Sequence, residues 1–284
     1  MLMMQRSHRI ASVLAGIAIV LGLSMVALPT QRAQAATIQP VESLTTVNYY
    51  TKIGPNTTHN YGIYKSGGYA TSTANLTKIS SGYNFRNKFV HITREEVVNG
   101  ATWLKFTYNH TYTGWIHQNG TVKSYYRVVA PLIAQRPELP TGCEITATTM
   151  MLQFGGADVT KLSLAKEMPR SSDPNKGFVG SPYSSTGWYV YPGGLMSVVK
   201  AHMGTAKNMT GASLAVIKAQ VRQNHLVVIW VANVDGFSNH ALTVTGYSST
   251  RLYYNDPWTV KRSSMTNATV QKHRKADAYR ALSY

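Results

Sequence analysis

Four residues of this 284-residue chain have the types and spacing for covalent chemistry: Cys143, His240, Asp256 and Gln135. Cys143 is the only cysteine. It stands in Pro140-Thr141-Gly142-Cys143-Glu144-Ile145, ahead of a run that reads as helix to Phe154, where Gly155-Gly156 offers a stop. Pro140 and Gly142 make a turn, so Cys143 is expected at the helix N-terminus. The unpaired N–H groups and macrodipole of a helix start favour negative charge. A thiol there is biased toward thiolate, the form that attacks carbonyl carbon. The plainer reading of a lone cysteine is a small buried hydrophobe.

His240 begins one strand candidate, Ala241 to Tyr247, and Asp256 ends the next, Leu252 to Asn255. Ser248-Ser249-Thr250-Arg251 is the turn between them. An antiparallel hairpin returns those two ends to the same side. A carboxylate beside an imidazole can fix its tautomer and orientation. With the Cys143 helix against that end of the sheet, a nucleophile, a base and an orienting acid converge. Taken singly, His240 reads as a satisfied structural histidine and Asp256-Pro257 as an ordinary turn. Gln135, eight residues before Cys143, could donate to an oxyanion beside the Cys143 N–H, or could be a surface amide.

These residues need elements to hold them. Residues 128 to 284 alternate helix-like and strand-like stretches, an α+β pattern with helices first and strands later. Lys161 to Met168, Leu195 to His202 and Leu214 to Gln223 are helix candidates, and Leu226 to Val231 is a continuous apolar run expected as a buried strand. Ser171 to Gly194 reads as a long surface loop, a type that often carries function. Its Trp188, Tyr189 and Tyr191 are expected to line the cleft and bind substrate.

Residues 41 to about 127 read instead as all-β. Short β-branched and aromatic runs alternate with Gly, Asn and Ser clusters. Asn99-Gly100 lies between two such runs as a hairpin turn. Five or so strands in this length suit a small barrel. The aromatic and glycine content suits sugar binding, with Trp103 and Trp115 as either sugar-facing or core residues. Tyr125 to Leu132 reads as the linker between the halves.

The run Asn99-Gly100-Ala101-Thr102-Trp103-Leu104-Lys105 followed by Gly114-Trp115-Ile116 resembles the end of a bacterial Src-homology-3-like domain of the GW, cell-wall-targeting kind. That resemblance implies attachment to a wall polymer. A second one is more specific. Pro131 to Glu144, with Gln135 and the Pro140-Thr141-Gly142-Cys143-Glu144 segment, closely resembles the nucleophile region of the bacterial papain-like peptidases related to the double-glycine, bacteriocin-leader peptidases. Tyr191-Pro192-Gly193-Gly194-Leu195, Asn239-His240-Ala241 and Asn255-Asp256-Pro257 follow in the same order. The resemblance implies a papain-like fold, with Cys143 as nucleophile, His240 as base, Asp256 as orienter and Gln135 as oxyanion donor. Leader-processing members are domains of membrane transporters, and no transporter part is seen here.

Composition bounds the setting. Arg6, His8 and Arg9 precede an apolar run to Leu28, and Ala33-Gln34-Ala35 fits a cleavage site, so residues 1–35 read as a signal peptide. A single cysteine excludes an internal disulfide. Lys plus Arg is 28 against 11 acids, a net charge of +17 spread over both halves. Spread positive charge suits an anionic surface such as a cell wall, or serves solubility alone. No zinc-finger, helix-turn-helix or RNA-binding signature argues for nucleic acid. The nine histidines lack zinc-ligand spacing, so no metal or cofactor is expected.

The expectation is therefore an α+β papain-like cysteine peptidase domain, residues 128–284, preceded by a small all-β Src-homology-3-like domain, residues 36–127. It would be secreted, wall-associated and monomeric. It would cleave a peptide or a wall stem peptide through a thioester acyl-enzyme, bind an anionic wall polymer, and need no nucleic acid or membrane after signal removal. The alternatives are a catalytically silent wall-binding or adhesion protein, and an acyl-transferring variant with the same residues.

Overall fold

Asn99 and Gly100 take φ of 50° and 69° in the computed structural model, the left-handed pair that a two-residue hairpin turn requires. Around them β4 (Phe89–Val98) pairs antiparallel with β5 (Ala101–Tyr108). The structure describes residues 40–55, 60–67, 77–122 and 124–284. The expected signal segment, residues 1–35, lies outside them. No helix among the described residues is long and apolar enough to cross a membrane.

The N-terminal strands are completed by β1 (Val41–Lys52), β2 (Gly62–Tyr64), β3 (Lys78–Ser81), β6 (Tyr112–His117) and β7 (Tyr126–Val128). The C-terminal half holds α1 (Cys143–Phe154), α2 (Lys161–Glu167), α3 (Pro192–Met203), β8 (Lys207–Asn208), α4 (Leu214–Arg222) and β9 (Val227–Val231). It ends with β10 (His240–Tyr247), β11 (Arg251–Asp256), β12 (Lys261–Thr266), α5 (Asn267–Ala276) and β13 (Ala281–Ser283). Among the described residues the strands form one sheet, ordered β3-β2-β6-β5-β4-β1-β7-β10-β9-β13-β8, with β11 on β10 and β12 on β11.

The segment expected as a linker is instead the seam of this sheet. β7 pairs with β1 through Tyr49–Val128 and Tyr50–Arg127, and with β10 through Gly246–Arg127 and Tyr247–Tyr126. Gly246 makes the join possible. A Cβ there would sit 2.5 Å from the Tyr126 carbonyl oxygen and 2.8 Å from Arg127 Cα, so only glycine lets the backbones meet. Tyr126 is buried at the seam, stacked on Tyr49 at 4.5 Å and on Tyr247 at 6.2 Å. Its hydroxyl donates to Asn224 Oδ1.

α1 is the centre of the C-terminal half. It is buried from Cys143 through Leu152 and lies on β9 and β10. Thr243 Oγ1 of β10 donates to the Ala147 carbonyl at 2.8 Å, tying helix to strand. β9 is buried at every position. Trp230 at its centre is fully buried and donates its indole N–H to the Val190 carbonyl at 3.0 Å.

The loop expected to run to Gly194 ends at Tyr191, because Pro192 opens α3, where its fixed φ and missing N–H suit the first helical position. Phe178 and Val190, both fully buried, pin that loop to the core. α5 was not expected. It buries only Val270 and Arg274, too few apolar residues to show a helical period in sequence.

Candidate active site

Cys143 is the first residue of α1, preceded by a turn in which the Gly142 N–H donates to the Leu139 carbonyl at 3.0 Å. A Cβ on Gly142 would lie 2.7 Å from Leu139 Cβ. The fully buried Leu139 therefore selects glycine before the cysteine. His240 opens β10 and Asp256 closes β11, and the register Thr243–Asn255 sets them at one end of the sheet. His240 Nε2 lies 3.0 Å from Asp256 Oδ1. The Ala241 N–H, next in chain after His240, reaches the Cys143 sulfur.

The His240–Asp256 pair is heavily braced. Asp256 Oδ1 also accepts from the Trp258 N–H at 2.8 Å, and Oδ2 from the Thr259 hydroxyl at 2.7 Å. Burial would raise this carboxyl, but the hydrogen bonds from His240, Asp235 and Thr259 outweigh it and hold the group well below the usual carboxylate range. An ionised Asp256 requires the His240 proton on Nε2. That leaves Nδ1 with a free lone pair, and it is buried with no hydrogen-bond partner among the described residues. Phe237 stacks on the imidazole at 5.2 Å, Trp258 meets Phe237 edge-on at 4.8 Å, and Arg136 caps Trp258 at 3.8 Å.

The thiol departs from expectation. Burial, followed by Glu144, pushes Cys143 well above the ordinary thiol range. Glu144 is wholly buried beside it, and Sγ donates to Oε2 at 3.2 Å. Burial raises Glu144 itself to about 8. Its Oε1 accepts from the Val190 N–H at 3.3 Å, so one carboxyl grips both the nucleophile and the aromatic loop. The benefit of a helix start is real but smaller than desolvation next to an acid.

Gln135 is buried against the same end of the sheet. Its backbone N–H donates to the Pro257 carbonyl at 2.9 Å, and Nε2 donates to the Pro140 carbonyl at 3.0 Å and to the Leu139 carbonyl at 3.4 Å. The Leu139 contact is the longer and weaker of the two. Gln135, Cys143, Trp188, Tyr189, Phe237 and Asn239 line a common cleft of about 290 Å³. Trp188 is 64 % exposed at its rim. Tyr191 is not among the lining residues. It lies behind Tyr189, stacked at 5.0 Å, with the Arg280 guanidinium 3.4 Å from its ring. Arg280 is paired with Asp277, which accepts from Asn239 Nδ2 at 2.7 Å.

Asp235 and Glu144 were missed as site residues. Asp235 Oδ2 lies 3.9 Å from His240 Nε2, and burial, then the hydrogen bond to Asp256, raises its carboxyl to about 6. Its signal was the Asp235-Gly236 pair, both at positive φ (53° and 86°) in the turn closed by the Val234–Phe237 bridge. The signal for Glu144 was its place directly after the only cysteine. Among the described residues, Asp235, His240 and Asp256 form a trio with ligand atoms within 4.8 Å of one another. The carboxylate oxygens of Asp256 already accept hydrogen bonds from His240, Trp258 and Thr259.

Residues 128–284 match the Peptidase_C39 like family, and the chain belongs to it. Residues 43–121 match the GW (Gly-Tryp) dipeptide domain. The chain is 30% identical over 164 residues to the "Uncharacterized protein YvpB" of Bacillus subtilis (strain 168). That match covers 48% of this chain and 66% of the relative, just under two thirds of its length. A crystal structure from Bacillus anthracis, proposed to be a C39-like peptidase, superposes with a TM-score of 0.50 at 28% identity. The superposition covers 54% of this chain and 93% of that one. The chain thus combines an α+β C39-like peptidase fold with a GW domain.

Proposed function

We propose that this protein is a cysteine peptidase or amide hydrolase of the cell wall, with Cys143 as nucleophile, His240 as base and Asp256 as orienting acid. The observation that carries the reading is His240 Nδ1. It is buried, has no hydrogen-bond partner among the described residues, and is next to the residue whose N–H reaches the Cys143 sulfur, while Nε2 is held by Asp256. A neutral imidazole in that tautomer accepts a proton only at Nδ1. The thiol proton passes to Nδ1 as sulfur attacks the amide carbonyl. The tetrahedral oxyanion takes hydrogen bonds from the Cys143 N–H and from the Gln135 amide, which exchanges its long 3.4 Å contact to the Leu139 carbonyl for the oxyanion. His240 then protonates the leaving amine, a thioester remains on Cys143, and water deprotonated by His240 releases the acid.

The raised thiol fits this order of events, because the proton leaves only as attack proceeds. Trp188 and Tyr189 would hold the acyl side of the substrate, with Tyr191 supporting them from behind. Residues 36–127, read as a Src-homology-3-like module after a removed signal peptide, would keep the enzyme on the wall. The GW match supports that reading. The test is release of new amino groups from purified Gram-positive sacculi and from denatured protein, for wild type, Cys143→Ser and His240→Ala. Release by wild type alone is expected. Equal release by Cys143→Ser, or none from either substrate, overturns the proposal.

A further inference from the structure

A second cleft, of about 470 Å³, opens where the N-terminal sheet meets β11 and β12, lined by Tyr50, Phe89, Tyr125, Arg127, Tyr253 and Arg262 with Val128 and Val129. Four aromatic rings come together there from both halves of the chain. Phe89 meets Tyr125 at 5.0 Å, and Tyr125 meets Tyr253 edge-on at 5.8 Å. Such rings normally end in a core, yet Phe89 is 54 % exposed and Val129 52 %. An exposed apolar patch of this kind marks a binding surface.

The charge is one-sided. Arg127 lies over the Tyr253 ring at 4.8 Å, which orients its guanidinium. Arg262 is exposed and spends one N–H on the Ala130 carbonyl at 3.2 Å, leaving most of its donor fork unspent. Lys52 stands over Phe89 at 5.7 Å. Among the described residues, no carboxylate lines the cleft.

We infer that this cleft binds an anionic sugar polymer, with ring faces on Phe89, Tyr50 and Tyr125 and a phosphate or carboxylate on Arg127 and Arg262. A sugar ring offers a flat C–H face that packs on an aromatic π-face, while its hydroxyls stay in water. A planar guanidinium fork suits the two oxygens of a phosphate or carboxylate. Aromatic rings with arginines also suit single-stranded nucleic acid. The glycan is favoured because this inference rests on the wall-associated reading above. It adds the position of the polymer. Arg262 pairs with Asn255 across β11 and β12, one residue before Asp256, so a bound strand lies on the element that carries the orienting acid.

The experiment uses the full chain and measures binding to sacculi carrying phosphodiester-linked polymers, the same sacculi stripped with hydrofluoric acid, and an oligo-dT strand. Arg262→Gln and Phe89→Ser change exposed side chains outside the catalytic set. Arg262→Gln is expected to raise the apparent Kd for untreated sacculi roughly tenfold, the loss of one charge-assisted hydrogen bond. Phe89→Ser is expected to raise it several-fold, with Tm and Cys143 alkylation unchanged in both. Binding lost on stripping assigns the anion to phosphate, and binding retained assigns it to carboxylate on the glycan. Wild-type affinity in both variants overturns the inference while leaving the wall reading intact. No binding by wild type overturns both, and tighter binding to oligo-dT overturns the choice of ligand.

Discussion

At the scale of the residue, Glu144 sets the character of the nucleophile. Being raised to about 8, it is an uncharged acid at neutral pH and a carboxylate above that point. Glu144→Gln should therefore match wild type in iodoacetamide alkylation of Cys143 at pH 6 and run ahead of it above pH 8, where an ionised Glu144 suppresses the thiolate. Following the reaction by intact mass checks this, and superimposed profiles up to pH 10 would refute it. Stability follows the same group. Between the unfolded value near 4.3 and the folded value of about 8, the unfolded chain releases this proton and the folded chain keeps it, so stability falls as pH rises. Glu144→Gln should melt close to wild type at pH 4 and several degrees higher at pH 8.

At the scale of the element, two joins carry testable consequences. The loop ending at Tyr191 carries exposed Trp188 on a base pinned by Val190, whose N–H and carbonyl are both engaged, by Glu144 and Trp230. Trp188→Ala should raise KM or lower kcat on a true substrate without changing Tm; no change in either constant would remove the loop from the site. The second join is at β10. Gly246→Ala places a methyl 2.5 Å from the Tyr126 carbonyl oxygen. Overpacking of this kind costs about 1–3 kcal/mol, or roughly 2–12 °C of Tm in a chain of this size. An unchanged melt would mean that β7 and β10 separate freely.

At the scale of the whole molecule, the two halves share one sheet through β7 rather than hanging from a linker. Tyr49, Tyr126 and Tyr247 stack across the seam. Differential scanning calorimetry of the full chain should show one cooperative transition. Two transitions separated by more than a few degrees would mean that the seam is weak and the halves unfold apart.

What the sequence determined by itself was local. Gly142 and Gly155 bracket α1, Asn99-Gly100 turns β4 into β5, and the apolar run before His240 became β9, because turn chemistry and continuous hydrophobicity are written in neighbouring residues. The placement of His240 and Asp256 at one end of a hairpin was also readable, since strand pairing follows from the length of the turn. The tertiary structure decided everything that depends on residues far apart in the chain. The seam at β7 needed Gly246, 120 residues downstream of Tyr126. Tyr191 was turned away from the cleft by Arg280, and the aromatic cleft was assembled from strands of both halves. The state of Cys143 was decided in the same way. A helix start favours thiolate within a turn of the chain, but the desolvation that reverses it comes from β10, the Val190 loop and a buried Glu144 packed together, and burial is a property of the fold.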